Sequence, residues 1–311
     1  MATNDIFWAN LIHLSTNMWI DRPDPVWDRD HITRPYLRFD EGVWSEIKGK
    51  MVEAGLNMCV IDLGDAVKWE SHPEIAVEGA WSVDKLKQEL ASLREVGIEP
   101  IPKLNFSTCH DAWMGPYSRM VSTDIYYAFC RDIIAEVGRI FGRPRFFHLG
   151  MDEETYPHQQ YWQYVVCRQF DLWWHDLMFL VEQVEDAGSR AWVWSDYEWH
   201  YPEIFFEKMP MTVLQSNWYY SESFNREDTY VKAYLDLEEH GYDQVPTGAN
   251  WSCDTNFMDT VKFAKENIAP ERLKGFLQTI WRQTTPRWRD KHISAIEQVA
   301  AAKQWWESGA K

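Results

Sequence analysis

Nowhere does this sequence hold the roughly 20 consecutive apolar residues that a membrane span requires. Met1 to Asp5 has neither the basic nor the apolar stretch of a secretory leader. Positive charge is scarce: 31 Lys and Arg stand against 48 Asp and Glu, and the net charge of −17 sets the surface against phosphate backbones. A membrane and a nucleic acid are therefore not expected as partners, and a neutral ligand is. Cysteine is sparse too. Cys59, Cys109, Cys130, Cys167 and Cys253 are odd in number, widely spaced and without a C-x-x-C pair, which argues against a disulfide framework or a thiolate metal site. The expectation is a soluble protein of a reducing, cytoplasmic compartment, or a secreted one if a leader has been removed. No glycine-rich phosphate turn follows the first apolar run, where Ser15-Thr16-Asn17-Met18 stands instead, and no repeat or low-complexity linker divides the chain. Nothing in the pattern sets an oligomeric state.

What the chain does have is aromatic side chains: 19 Trp, 14 Tyr and 15 Phe, most of the Trp expected in core packing, while Trp and Tyr also offer flat apolar faces with a polar edge. Hydrophobic residues make up 45% and charged residues 25%, the balance of a folded globular chain. Eight apolar, β-branched or aromatic runs recur, at Trp8 to Leu14, Asn57 to Leu63, Glu99 to Leu104, Arg145 to Gly150, Arg190 to Ser195, Met211 to Ser216, Gln244 to Ala249 and Gly275 to Ile280. Helical patterns alternate with them. Leu86, Leu90 and Leu93 follow Ser82 to Asp84 and stop at Gly97, and Ile47 and Met51 precede Gly55. Further patterns run from about Gln160 to Ala187 and from about Ile293 to Trp306. Eight such units predict an α/β chain of one domain, residues 1–311, folded as a single (β/α)8 TIM barrel. A doubly wound open sheet is set aside for want of the phosphate turn.

In such a barrel the polar residues just past each strand share one basin. The fourth exit reads His148-Leu149-Gly150-Met151-Asp152-Glu153-Glu154. Other exits offer Asp62, Asp65 and Trp69; Asn105, His110 and Asp111; Trp194, Asp196 and Tyr197; Asn217, Trp218 and Tyr219; Asn250 and Trp251; and Trp281. Acids, amides and flat aromatic faces at nearly every exit describe a carbohydrate pocket, since the C–H face of a sugar stacks on an aromatic ring. Glu154 is expected to be solvated or to cap the next helix.

These residues resemble family 20 of the glycoside hydrolases, which includes the β-N-acetylhexosaminidases. The family's H-x-G-G-D-E motif is matched by His148, Gly150, Asp152 and Glu153, with Met151 in place of one glycine. Its P-E-I-D strand and following histidine are echoed by Pro102-Lys103-Leu104-Asn105 and His110, its second-strand aspartate and tryptophan by Asp65 and Trp69, and its pocket tryptophans by Trp194, Trp218 and Trp281. The chain departs from the pattern in several places. No arginine lies between His13 and Trp19, Gln283 stands where an acid is usual, and Trp251 and Asp254 are only loose counterparts of a tyrosine and an aspartate.

The chemistry of glycoside cleavage needs a proton for the leaving oxygen and a partner for the positive charge at the anomeric carbon. Glu153 supplies the proton if a half-buried, acid-rich setting raises its pKa. Asp152 is not expected to share that task, because neighbours on an extended strand point in different directions. The resemblance implies that Asp152 instead holds the substrate's 2-acetamido group, whose oxygen is the nucleophile, so that terminal β-linked N-acetylhexosamine is removed with retention. It further implies substrate contacts from His148, Asp65, His110, Trp194, Asp196, Trp218, Tyr219, Trp251 and Trp281, with Tyr220 an alternative to Tyr219, and no cofactor or metal. Rival readings are a binding protein on an inactive barrel, a two-carboxylate retaining glycosidase and a metal-dependent hydrolase, the last without an H-x-H or H-E-x-x-H sequence to support it.

Overall fold

The computed structural model describes residues 6–22 and 30–309. Eight parallel strands follow one another around a barrel: β1 (Phe7–His13), β2 (Met58–Asp62), β3 (Glu99–Lys103), β4 (Phe146–His148), β5 (Arg190–Trp194), β6 (Leu214–Ser216), β7 (Thr247–Ala249) and β8 (Gly275–Thr279). The ring closes between β8 and β1, where Phe7 pairs with Gly275, and between β6 and β7, where Val245 N–H donates to Gln215 O at 2.8 Å. Gly275 has to be glycine, because a Cβ there would lie 2.4 Å from the Phe7 ring. The expected single (β/α)8 barrel is the fold.

Strand period two sorts the core. Phe7, Ala9 and Leu11 join Met58, Val60, Ile101, Phe146, Trp192, Trp194, Leu214, Val245 and Leu277 inside the barrel, while Trp8 and Ile12 face the helices. Nearer the strand ends the interior turns polar. Lys103, fully buried, is held by Asp62 at 2.6 Å, and His13 lies 3.4 Å from the same carboxylate oxygen. Burial lowers the His13 pKa, although Asp62 opposes the shift. A buried cation of this kind persists only because its partner is fixed.

Among the described residues, eight helices of two turns or more cover the barrel: α1 (Glu41–Glu53), α2 (Val83–Glu95), α3 (Asp124–Ile140), α4 (Asp171–Asp186), α5 (Pro202–Lys208), α6 (Thr229–Glu239), α7 (Asn256–Asn267) and α8 (Arg289–Glu307), with shorter turns between them. Their starts carry side-chain caps where the sequence provides them, Asp40 to Val43 N–H, Ser82 to Lys85 N–H and Thr123 to Tyr126 N–H. On α2 the stripe Val83, Leu86, Leu90 and Leu93 is the buried face, as its spacing predicts.

One expected helix is wrong in extent. The pattern from Gln160 to Ala187 begins as a loop, and α4 starts only at Asp171, after Phe170 turns through φ 52°. Loop residues 160–170 are pinned from outside themselves: Gln159 takes the Val166 N–H and donates to its carbonyl, and Arg168 is drawn into the protein by Glu154 and Asp176. Tertiary bonds have overridden a helical pattern.

Candidate active site

The basin at the strand exits is organised by the segment after β4. Gly150, Met151 and Glu153 all have left-handed backbones, with φ of 72°, 74° and 55°. Two of these are non-glycine residues, for which that conformation is costly and common at functional sites. Asn105, at the end of β3, imposes the path. Its carboxamide oxygen accepts Met151 N–H at 3.2 Å and Ser107 N–H at 3.0 Å, while its nitrogen donates to Asp152 Oδ1 at 2.8 Å. A Cβ on Gly150 would fall 2.0 Å from that Asn105 oxygen.

This path corrects the expectation that Asp152 and Glu153 diverge. The backbone there is not extended, and the two neighbouring carboxylates meet one imidazole: His110 Nε2 lies 3.2 Å from Asp152 Oδ2 and 3.3 Å from Glu153 Oε2. The contact is an ion-pair bridge shared by two oxygens rather than one aligned hydrogen bond. Burial alone would discourage a charged His110, but the two carboxylates prevail and raise its pKa to about 10. Burial likewise pushes Glu153 upward, yet His110, with His158 Nε2 at 3.4 Å from the other oxygen, holds it well below the usual carboxylate range. Asp152 is lowered in the same way. The resting site is therefore a charged cluster, and the expected upward shift of Glu153 is not found.

The neighbouring loops clamp this cluster in place. Ser107 Oγ donates to Asp152 O at 2.5 Å, and the Cys109 thiol to Glu153 O at 2.6 Å. Asp196, at the β5 exit, accepts Glu153 N–H at 2.8 Å through Oδ2 and is buried. Burial and the Asp152 charge push the Asp196 pKa up to about 8. Glu154 is neither solvated nor capping. Its side chain is buried in a two-pronged pair with Arg168, at 2.9 Å and 2.7 Å, and Arg168 also reaches Asp176. A fork-on-fork pair of this sort fixes the loop that carries it.

Above the cluster lies a pocket of about 420 Å³ walled by Trp19, Trp194, Trp218, Tyr220, Trp251 and Trp281, with His110, Asp152 and Glu153 on one side. Seven of the expected site residues thus come together: Asp152, Glu153, His110, Trp194, Trp218, Trp251 and Trp281. Trp194 serves both readings, as part of the barrel core and as pocket floor, and its indole N–H has no hydrogen-bond partner among the described residues.

Four expected residues do not line the pocket. His148 is fully buried against Trp192 and Trp194, and its Nδ1 accepts Gly150 N–H at 3.0 Å, so it is a strut beneath the turn. Asp65 is bonded to Ser15 Oγ and Asn17 Nδ2 and shapes the loop after β1, and Trp69 is core. Asp196 stands behind Glu153. Tyr219 turns outward and donates to Ser223 O, whereas Tyr220 faces the pocket and accepts the Trp281 indole N–H at 3.2 Å. Gln283, where an acid is usual in family 20, is buried and donates to Asp30 O.

Comparison with known proteins finds no matching family model and no matching curated protein. Solved structures do match. An exo-β-N-acetylglucosaminidase of family 20 from Vibrio harveyi, in complex with N-acetylglucosamine, is 12% identical with a TM-score of 0.59, over 98% of this chain and 58% of that one. The pneumococcal protein StrH, described in connection with N-glycan recognition and hydrolysis, is 13% identical with a TM-score of 0.61, over 97% and 84%. A family 5 glycoside hydrolase from Prevotella bryantii, in complex with a xyloglucan tetradecasaccharide, is 12% identical with a TM-score of 0.58, over 97% of each chain. The likeness is one of fold. This chain spans under three fifths of the Vibrio harveyi protein.

Several pocket residues were not singled out from the sequence: Trp19, His31, His158 and Tyr161. Trp19 lies as near its strand exit as His110 does, and His31, His158 and Tyr161 lie further along their loops. Of these three, only His158, on the proline-started turn Tyr156-Pro157-His158 directly after three acids, stood close enough to suggest a role. Among the described residues, His110, Asp152 and Glu153 also form a potential metal-ligand set, their donor atoms within 4.8 Å of one another. A metal would require His110 to give up its Nε2 proton, against the pull of both carboxylates.

Proposed function

We propose that the protein is a glycoside hydrolase that removes a β-linked N-acetylhexosamine, with the substrate's acetamido oxygen as nucleophile. The observation that carries the reading is the convergence of Asp152 and Glu153 on one side of a tryptophan-walled pocket, against a single His110 nitrogen. A two-carboxylate retaining enzyme needs acids on opposite faces of the sugar, about 5–5.5 Å apart. Here the pocket's carboxylates, among the described residues, are these two, and their oxygens lie within 4.8 Å on the same side. Asp196 lies outside the pocket lining with Oδ2 on Glu153 N–H, and burial raises its pKa, which disfavours the ionised form a nucleophile needs. The resemblance of the fourth-strand motif to family 20 points the same way.

The proton inventory gives each residue a task. Before substrate enters, the proton sits on His110 and Glu153 is ionised. A sugar ring in the pocket displaces water, and a drier setting favours a neutral pair over separated charges, so the proton passes from His110 to Glu153. Glu153 then protonates the glycosidic oxygen as the C–O bond breaks. The acetamido oxygen attacks the anomeric carbon from the opposite face, and Asp152 accepts the amide N–H and stabilises the charge that grows there. Tyr220, whose oxygen already accepts from Trp281, has its own proton to donate to the acetamido oxygen. Burial raises its pKa and keeps that proton in place. Water deprotonated by Glu153 opens the cyclic intermediate, and the sugar leaves with its β configuration.

The test is a set of aryl β-glycosides that differ at C2, with a thiazoline analogue of the cyclised intermediate. The 2-acetamido compounds should be hydrolysed, the 2-hydroxy ones should not, and the thiazoline should bind at least about a hundredfold more tightly than substrate. Stoichiometric labelling of a carboxylate by a 2-deoxy-2-fluoro glycoside would reject the mechanism.

A further inference from the structure

A second cavity, of about 1020 Å³, adjoins the pocket on the far side of Glu153. Glu153, Pro157, His158, Trp218 and Tyr220 line both, so the acid stands on the boundary between the smaller pocket and a larger groove. Two aromatic chains pave the groove. One runs from Trp218 to Trp199, with ring centres 4.5 Å apart, and on to Tyr230 at 4.4 Å. The other runs from Trp173 to Tyr197, stacked at 4.0 Å, and on to Tyr201 at 5.2 Å.

Other aromatic side chains of the groove, and the end of the second chain, are left open to water. Tyr156, Phe170 and Tyr201 are 65%, 74% and 52% exposed, a gathering of large aromatics at one place that solvent alone does not favour. Phe170 is also held with φ 52°, a conformation that costs a bulky residue energy and persists at ligand clamps. The loop that carries it is anchored from below by the buried Arg168 pair with Glu154, the residue next to the proposed acid.

We infer that this groove is a binding site for the leaving-group side of an oligosaccharide, so that the substrate is a β-linked glycan chain of at least two further sugar units rather than a simple glycoside. The inference rests on the proposed hydrolase reading. A general acid protonates the oxygen between the sugar being removed and the rest of the chain, so the space across Glu153 from the tryptophan-walled pocket is where the remainder must lie. Flat rings with polar rims, Tyr hydroxyls and Trp N–H groups, are the surface on which successive sugar faces stack while their hydroxyls stay hydrogen-bonded. The groove contributes affinity away from the reacting bond, which orients the leaving oxygen toward Glu153.

The experiment uses the full chain carrying Glu153→Gln, so that ligands survive, and titrates monomer and β-1,4-linked trimer in two series, N-acetylglucosamine and glucose. The trimer of one series should bind roughly tenfold or more tightly than its monomer. Phe170→Ala and Tyr201→Ala should each remove most of that gain and shift monomer affinity little. A trimer gain in the glucose series alone keeps the groove and overturns the acetamido reading. No gain from added units in either series, or a gain that survives both substitutions, overturns the groove, whatever the C2 preference proves to be.

Discussion

Glu153 Oε2 lies 3.3 Å from His110 Nε2, and the imidazole is almost wholly buried while the carboxylate keeps an open edge toward the pocket. In the proposed mechanism the proton of this pair is stored on the inner partner and used by the outer one.

His110→Ala should remove that store. In the wild type His110 is raised from 6.5 to about 10, so its stabilising contribution is complete below pH 6.5 and is lost as pH rises through about 10. Glu153 is depressed, so its contribution is present above pH 4.5 and is lost as pH falls through its lowered pKa. The variant should melt lower near pH 6, lose this alkaline dependence, and show about a 10²-fold fall in kcat. With His110 gone, the proton rests on Glu153 alone, whose carboxyl releases it at far lower pH than the imidazole did, so the alkaline limb of the kcat/KM profile should move to lower pH. An unmoved alkaline limb would show that His110 does not hold the acid's proton.

Glu153→Gln keeps the shape and removes the acid. Activity should fall by about 10² to 10⁴-fold on poor leaving groups and far less on a dinitrophenyl glycoside, which leaves without full protonation. Steady-state rates on a graded series of aryl leaving groups measure this, and equal losses throughout would take Glu153 out of the acid role.

Asp196→Asn tests the raised pKa of that acid. Folded Asp196 is raised from 3.8 to about 8, so the folded state holds its proton longer and stability falls as pH climbs from 3.8 through about 8. Asparagine still accepts Glu153 N–H and cannot ionise. Thermal melts should therefore coincide with wild type near pH 4 and rise above it at about pH 9. A variant less stable than wild type at the alkaline end would mean that the ionised carboxylate is favoured in the fold.

Gly150→Ala should be far more damaging than its one methyl suggests. The methyl would lie 2.0 Å from Asn105 Oδ1 on a residue at φ 72°. Backbone strain and overpacking together should cost about 2 to 4 kcal/mol. Because Asn105 also orients Asp152, activity should fall further than stability alone explains, which denaturant melts and kcat measured on the folded fraction will separate.

The sequence by itself determined the barrel, because what specifies it is local: runs of period two, helical stripes of period 3.6, and caps such as Asp40, Ser82 and Thr123 all lie within one unit of the chain. It also marked Asp152, Glu153, His110 and the exit tryptophans, since a strand's end is readable from its apolar run. Tertiary structure alone decided how these residues are arranged. Asn105, from a different strand, bends the turn so that adjacent carboxylates face one histidine. Arg168 pulls Glu154 inward and converts an expected helix start into a loop. Alternation past β6 brings Tyr220 to the pocket and turns Tyr219 away. The sign of the Glu153 shift was hidden for the same reason. Burial can be anticipated from neighbours in sequence, but His110 and His158 outweigh it, and the fold alone places both beside that carboxylate.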